Sequence, residues 1–226
     1  MLKPYKRISK KELKEDKFVT FTLKARDYIE ANAKKIMWGV VVVVVAIFAI
    51  YHLVKSKQQA NIEANALLGK ATFAMSQGRE SDAESQLKQV VENYKGVPSA
   101  GQGCFLLAKY YWQKDDFANA KIYFRQYLDD YSDDDLLTSG AYAGYADCLL
   151  KEGNAAEAAL NYEKAARVDK KLPQVPSYLY SAAKTYMESN NLEKAKELAT
   201  EIVEDYENNE YTGRAEILLH MIEFQV

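Results

Sequence analysis

The sequence predicts an all-α protein: an N-terminal transmembrane helix, then a helical solenoid of about four helix pairs, closed by a C-terminal capping helix. Three observations carry the prediction. Residues 36–54 contain no Asp, Glu, Lys or Arg. Downstream, Ala83, Ala120, Ala158 and Ala195 recur at intervals of 37, 38 and 37 residues, each matched twelve residues earlier by Ala71, Ala108, Ala146 and Ala183. Between the members of each pair runs a polar turn, Gln77 to Glu80, Lys114 to Asp116, Glu152 to Asn154, and Ser189 to Asn191. Small residues at fixed places in two successive helices let those helices approach closely, and repetition of the pair makes a solenoid.

The chain begins with a basic leader, residues 1–35, holding eleven Lys or Arg against five Asp or Glu. Ser9 followed by Glu12 has the spacing of a capping box, and Leu13, Phe18, Phe21, Ala25, Tyr28 and Ile29 keep a three-to-four spacing amid charge. An amphipathic helix running into the span is expected. Such a helix lies on anionic lipid, grips a cytoplasmic partner, or serves only to set topology.

Residues 36–54 include six consecutive valines, Val40 to Val45. As a helix rising about 1.5 Å per residue the stretch is about 28 Å long, which matches a hydrocarbon core of about 30 Å. Its twelve Val, Ile, Leu and Phe residues each favour insertion by roughly 0.3–0.6 kcal/mol. Trp38 and Tyr51 lie near the two ends at headgroup level, His52 falls in the interfacial zone, and Lys34, Lys35, Lys55 and Lys57 bracket the span. The apolar stretch is long for a signal peptide and ends in no small-residue cleavage site, so the anchor is expected to be retained.

Residues 55–63 are polar and extend the helix as a connector. Residues 55–226 hold nineteen Lys or Arg against twenty-seven Asp or Glu, so charge divides sharply across the span. The positive-inside rule keeps the basic leader in the cytoplasm and translocates the acidic domain, which in a bacterial inner membrane faces the periplasm.

The repeats run over residues 64–212, with units near 64–100, 101–138, 139–175 and 176–212, and residues 213–226 form the capping helix. Ala74, Tyr111, Leu149 and Tyr186 share one register, and Leu87, Phe124, Tyr162 and Ala199 share another. The second helices of the first, second and fourth units end in Tyr94, Tyr131 and Tyr206. Cys104 and Cys148 make no metal-ligand spacing and are expected as small core residues, although an oxidising compartment permits a disulfide.

Catalytic chemistry is not in evidence. There is no Gly-rich phosphate loop, no nucleophile elbow and no His-Cys cluster. Asp129, Asp130, Asp133, Asp134 and Asp135 form the densest acidic patch, yet the glycine turn and bidentate glutamate of a calcium loop are missing, so a solvated helix-capping loop is expected. The acidic domain argues against nucleic acid. No enzyme activity, cofactor, metal or small-molecule substrate is expected.

These registers resemble the tetratricopeptide repeat (TPR) family, with each unit three or four residues longer than the family's 34. In that family the first helix of each pair lines a concave groove. The resemblance places Leu68, Thr72 and Met75 there from the first unit, and Phe105, Lys109 and Trp112 from the second. The third unit adds Ala143, Asp147 and Leu150, and the fourth Tyr180, Lys184 and Met187. Such a lining suits an apolar polypeptide or a partner helix. The alternative is that Met75, Trp112 and Tyr180 merely pack on neighbouring repeats or the capping helix.

The whole order, leader, single span and repeats, resembles the bacterial YfgM family of inner-membrane proteins. That resemblance implies partners among the Sec translocon, a periplasmic peptidyl-prolyl isomerase or chaperones, and exported chains, with membrane lipid around the span. Two other roles fit the same architecture. One is a scaffold subunit of a secretion, cytochrome-maturation or motility complex; the other is an organelle receptor with a cytosolic TPR domain.

Overall fold

A computed structural model of the protein describes residues 17–224. Ser9, Glu12 and Leu13 of the expected amphipathic leader lie outside the described residues. The chain divides between Ser56 and Lys57 into two compact units.

Lys17–Ser76 is one helix, α1. Nothing in its sequence stops it: it holds no proline, and its two glycines, Gly39 and Gly69, stand 30 residues apart. Among the described residues α1 is the one helix long and apolar enough to cross a membrane. Val40 to Val45 are 45–64% exposed, with no protein packed over them. An uncovered apolar surface of this length fits a membrane anchor or a signal sequence.

In the second unit the helices come in pairs. The end of α1 leads into α2 (Glu80–Asn93); α3 (Pro98–Gln113) precedes α4 (Phe117–Asp130); α5 (Asp135–Lys151) precedes α6 (Ala155–Arg167); α7 (Val175–Glu188) precedes α8 (Leu192–Asp205); and α9 (Glu210–Glu223) closes the array. From α2 onward each helix packs on the next, and α3 touches α5 as α7 touches α9. Ala64, Leu68 and Ala71 of α1 share a core with Leu87 and Val90 of α2.

The repeat register is a burial register. All eight phased alanines are completely buried, and Leu87, Phe124, Tyr162 and Ala199 are buried with them. Cys104 and Cys148 are also fully buried and unpaired. Burial pushes both thiols up to about 12, so neither is a reactive thiolate at neutral pH.

Each turn within a pair is built the same way. Gly78, Asp115, Gly153 and Asn190 all take positive φ, from 56° to 81°. The residue after each donates its backbone N–H five residues back, at 2.8–2.9 Å, to Ala74, Tyr111, Leu149 and Tyr186. This closing loop satisfies carbonyls that the helix end would leave bare. That same following residue then opens the second helix. Asp116, Asn154 and Asn191 accept the N–H of Asn119, Glu157 and Lys194 as side-chain caps, whereas Arg79 of the first pair has no cap to give.

Connections between pairs are short except for the third, Val168 to Gln174. The tyrosine closing a second helix reaches back to the preceding connection: the Tyr131 hydroxyl accepts from the Gly96 N–H at 3.4 Å, and the Tyr206 hydroxyl donates to the Lys170 carbonyl at 3.4 Å.

Candidate functional site

An apolar recess in the repeat unit lies where α3 faces α5, and it begins with glycine. Gly140 and Gly144 stand one turn apart on α5. A Cβ added at Gly144 would come 2.3 Å from the Phe124 ring, and one at Gly140 would come 3.1 Å from the Phe105 ring. Two bare turns of backbone therefore accept two aromatic rings directly. Phe105 meets Phe124 edge-on at 5.9 Å and Tyr127 edge-on at 5.9 Å, which locks it as one wall of the recess.

The recess holds about 310 Å³, the lower end of the range for ligand clefts of roughly 300–1,000 Å³. Trp112, about two turns beyond Phe105, remains 39% exposed. Tyr178 of α7 forms the far side, and Ala143 with the two glycines makes the floor. Lys109 stands at the rim with its Nζ 5.9 Å from the centre of the Phe105 ring.

One carboxylate enters this apolar setting. Asp147 is half-buried on α5, and the Tyr162 hydroxyl donates a hydrogen bond to its Oδ1. Burial raises the Asp147 carboxyl above its ordinary value, and the hydrogen bond from Tyr162 opposes that shift. Burial, reinforced by the neighbouring Asp147 charge, raises the Tyr162 phenol.

Of the twelve residues expected in the groove, the structure gathers Phe105, Lys109, Trp112, Ala143 and Asp147 around this one recess. Those contributed by the first and fourth units lie elsewhere. Leu68 is 5% exposed and belongs to the core that also takes in Leu87 and Val90 of α2. Thr72 is exposed and its hydroxyl bonds back to Gly69, while Met75 is half-buried against the core. Tyr180 packs on Tyr211 of α9 at 5.7 Å, and Lys184 pairs with Glu188 at 3.7 Å on the surface. Leu150 and Met187 are half-buried against the core.

Phe124, Tyr178, Gly140 and Gly144 complete the recess without having been anticipated. Gly140 stands one turn before Ala143, and that spacing was the available signal. Among the described residues no group of three or more His, Cys, Asp or Glu side chains is placed to hold a metal.

Residues 26–170 match the family model described as a tetratricopeptide repeat-like domain, a stretch that includes the uncharged span as well as the first three pairs. Residues 146–210 match a tetratricopeptide repeat model. The fold is similar to a tetratricopeptide repeat protein from Parabacteroides merdae, with TM-score 0.60 and 17% identity over 74% of this chain and 61% of that one. It is also similar to BtubC from P. vanneervenii, with TM-score 0.54 and 12% identity over 73% of this chain and 66% of that one. Pseudomonas aeruginosa pilF matches with TM-score 0.51 and 16% identity over 72% and 67% of the two chains. The chain thus spans about three-fifths of the length of the Parabacteroides protein. No curated protein matches the chain in sequence.

Proposed function

The chain belongs to the tetratricopeptide repeat-like domain family, and from that premise we propose that it is a membrane-anchored, non-catalytic interaction module that holds polypeptide in the recess between α3 and α5. The observation that carries the proposal is Trp112, a large aromatic left 39% exposed beside a recess floored by glycine and alanine. An indole kept open to solvent next to a shaped apolar cavity is the composition of a protein-binding hot spot.

The uncharged span supports anchoring, and its place inside the family match supports reading span and repeats as one arrangement. The basic leader and acidic repeat domain support an orientation with the repeats outside the cytoplasm. A tethered groove meets chains at the membrane surface at a raised effective concentration, so weak apolar contacts suffice to hold them. This supports a YfgM-like role beside a translocon, receiving exported chains and passing them to periplasmic chaperones or an isomerase.

A scaffold reading has its own observation. On α9, Ile217, Met221 and Phe224 form an uncovered stripe, 63%, 47% and 91% exposed, on the last helix of the array. A dedicated subunit seated there would hold the protein in a fixed complex.

Purification of the tagged full-length protein from native membranes in mild detergent, with mass spectrometry of co-purifying chains, separates the two. Translocon subunits with a chaperone or isomerase support the first reading. One unrelated complex in fixed ratio, lost on changing Met221→Asp but kept on changing Trp112→Ala, replaces it with the second.

A further inference from the structure

Asp147 is the one acidic side chain lining the recess, among aromatic rings, small residues and Lys109. Its Oδ1 accepts from Tyr162, and among the described residues its Oδ2 has no hydrogen-bond partner. Lys151 lies within its field and Lys109 lines the same recess, yet neither pairs with it. Lys151 has its Nζ 5.3 Å from the centre of the Phe117 ring and Lys109 has its Nζ over Phe105, and Asp147 makes no ion pair among the described residues. Half of a carboxylate's acceptor capacity is therefore left open at the groove floor, in surroundings that penalise an unpaired charge.

The walls around it are suited to the opposite charge. Phe105, Trp112 and Tyr178 present aromatic rings to the same recess, and ring faces attract ammonium and guanidinium groups, with Trp the strongest. A planar guanidinium stacks on such a ring while donating two hydrogen bonds to a carboxylate. The volume of about 310 Å³ accepts side chains of an extended segment rather than a folded partner.

We propose, on the reading that this recess holds polypeptide, that Asp147 makes it selective for a segment carrying one basic side chain, arginine foremost, among apolar neighbours. The guanidinium donates to the Asp147 carboxylate against the Trp112 and Tyr178 rings. The flanking apolar side chains cover Ala143 and the bare turns of α5. Tyr162 acts as a positioning residue, since its hydrogen bond holds the carboxylate in the orientation that keeps the second oxygen free.

The test uses the full-length protein in detergent micelles and two fluorescein-labelled nonapeptides of alternating leucine and serine, one with a central arginine and one with a central glutamine. Fluorescence anisotropy is expected to show the arginine peptide binding about tenfold more tightly, the discrimination of one charge-assisted hydrogen bond. Asp147→Asn keeps an oxygen for Tyr162 to bond, and is expected to weaken the arginine peptide to the level of the glutamine peptide measured on the same variant. Equal affinity of the wild type for both peptides overturns the inference and leaves the groove reading standing. A preference that survives in Asp147→Asn also overturns it. Absence of binding by either peptide, at concentrations where the wild type remains folded, overturns the groove reading and this inference together.

Discussion

Burial raises the Asp147 carboxyl above its ordinary value of 3.8, which means that the folded state holds the ionised form less readily than the unfolded state does. The sign follows directly. Below pH 3.8 the group is protonated in both states and exerts no penalty; as pH rises from there toward the raised folded value the penalty grows, and above that value it is complete. Asp147→Asn is therefore predicted to raise Tm by a few degrees at pH 7, with the two proteins converging near the unfolded value, as thermal circular dichroism at the two pH values will show. A charge retained against stability marks a site kept for another purpose. Gly144 makes the opposite case. Alanine there gains about 1 kcal/mol of helix propensity, but its Cβ would stand 2.3 Å from Phe124, and overpacking of this kind costs roughly 1–3 kcal/mol. Gly144→Ala is predicted to lower stability in urea unfolding. Gly213→Ala, whose added Cβ meets nothing within 4 Å, is predicted to raise it by up to about 1 kcal/mol.

Among the elements, the second helices differ in how they start. Asp116 caps α4 through the Asn119 N–H at 3.1 Å, and Asp116→Ala is predicted to lose about 1 kcal/mol. Arg79 holds the same register at the head of α2 and caps nothing; its exposed side chain makes a 3.5 Å contact with Asp82 and lies over the Phe73 ring at 5.9 Å. Arg79→Asn is predicted to gain roughly 0.5–1 kcal/mol, since the exposed ion pair it gives up is worth little. The helices themselves were legible because their signals are periodic and repeated: phased alanines report close packing, and polar turns report helix ends. The recess was legible only in part. Phe105, Trp112 and Asp147 follow from the register of first helices, but Phe124 comes from a second helix and carried the same core register as Leu87 and Tyr162. Gly140 and Gly144 contribute by having no side chain, and the register weighs side chains. Leu68 shows the converse, a groove register on a residue that the core takes up.

For the whole molecule, the division between Ser56 and Lys57 leaves Ala64, Leu68 and Ala71 with the core that they help to build. Residues 57–226 are predicted to be soluble, helical by circular dichroism and cooperatively unfolding, while the full chain fractionates with membranes and resists carbonate extraction. Recovery of the full chain in the soluble fraction would remove the anchor from the account. The claim that most depends on everything else is that polypeptide occupies the recess beside Trp112. It is tested most directly by placing a photo-crosslinking amino acid at position 112, and separately at Ile122, which is 58% exposed on α4 outside the recess, in full-length protein within native membranes. Irradiation is predicted to give discrete polypeptide adducts from position 112 that are absent from position 122. Adducts of equal yield from both positions, or none from position 112, would contradict the account.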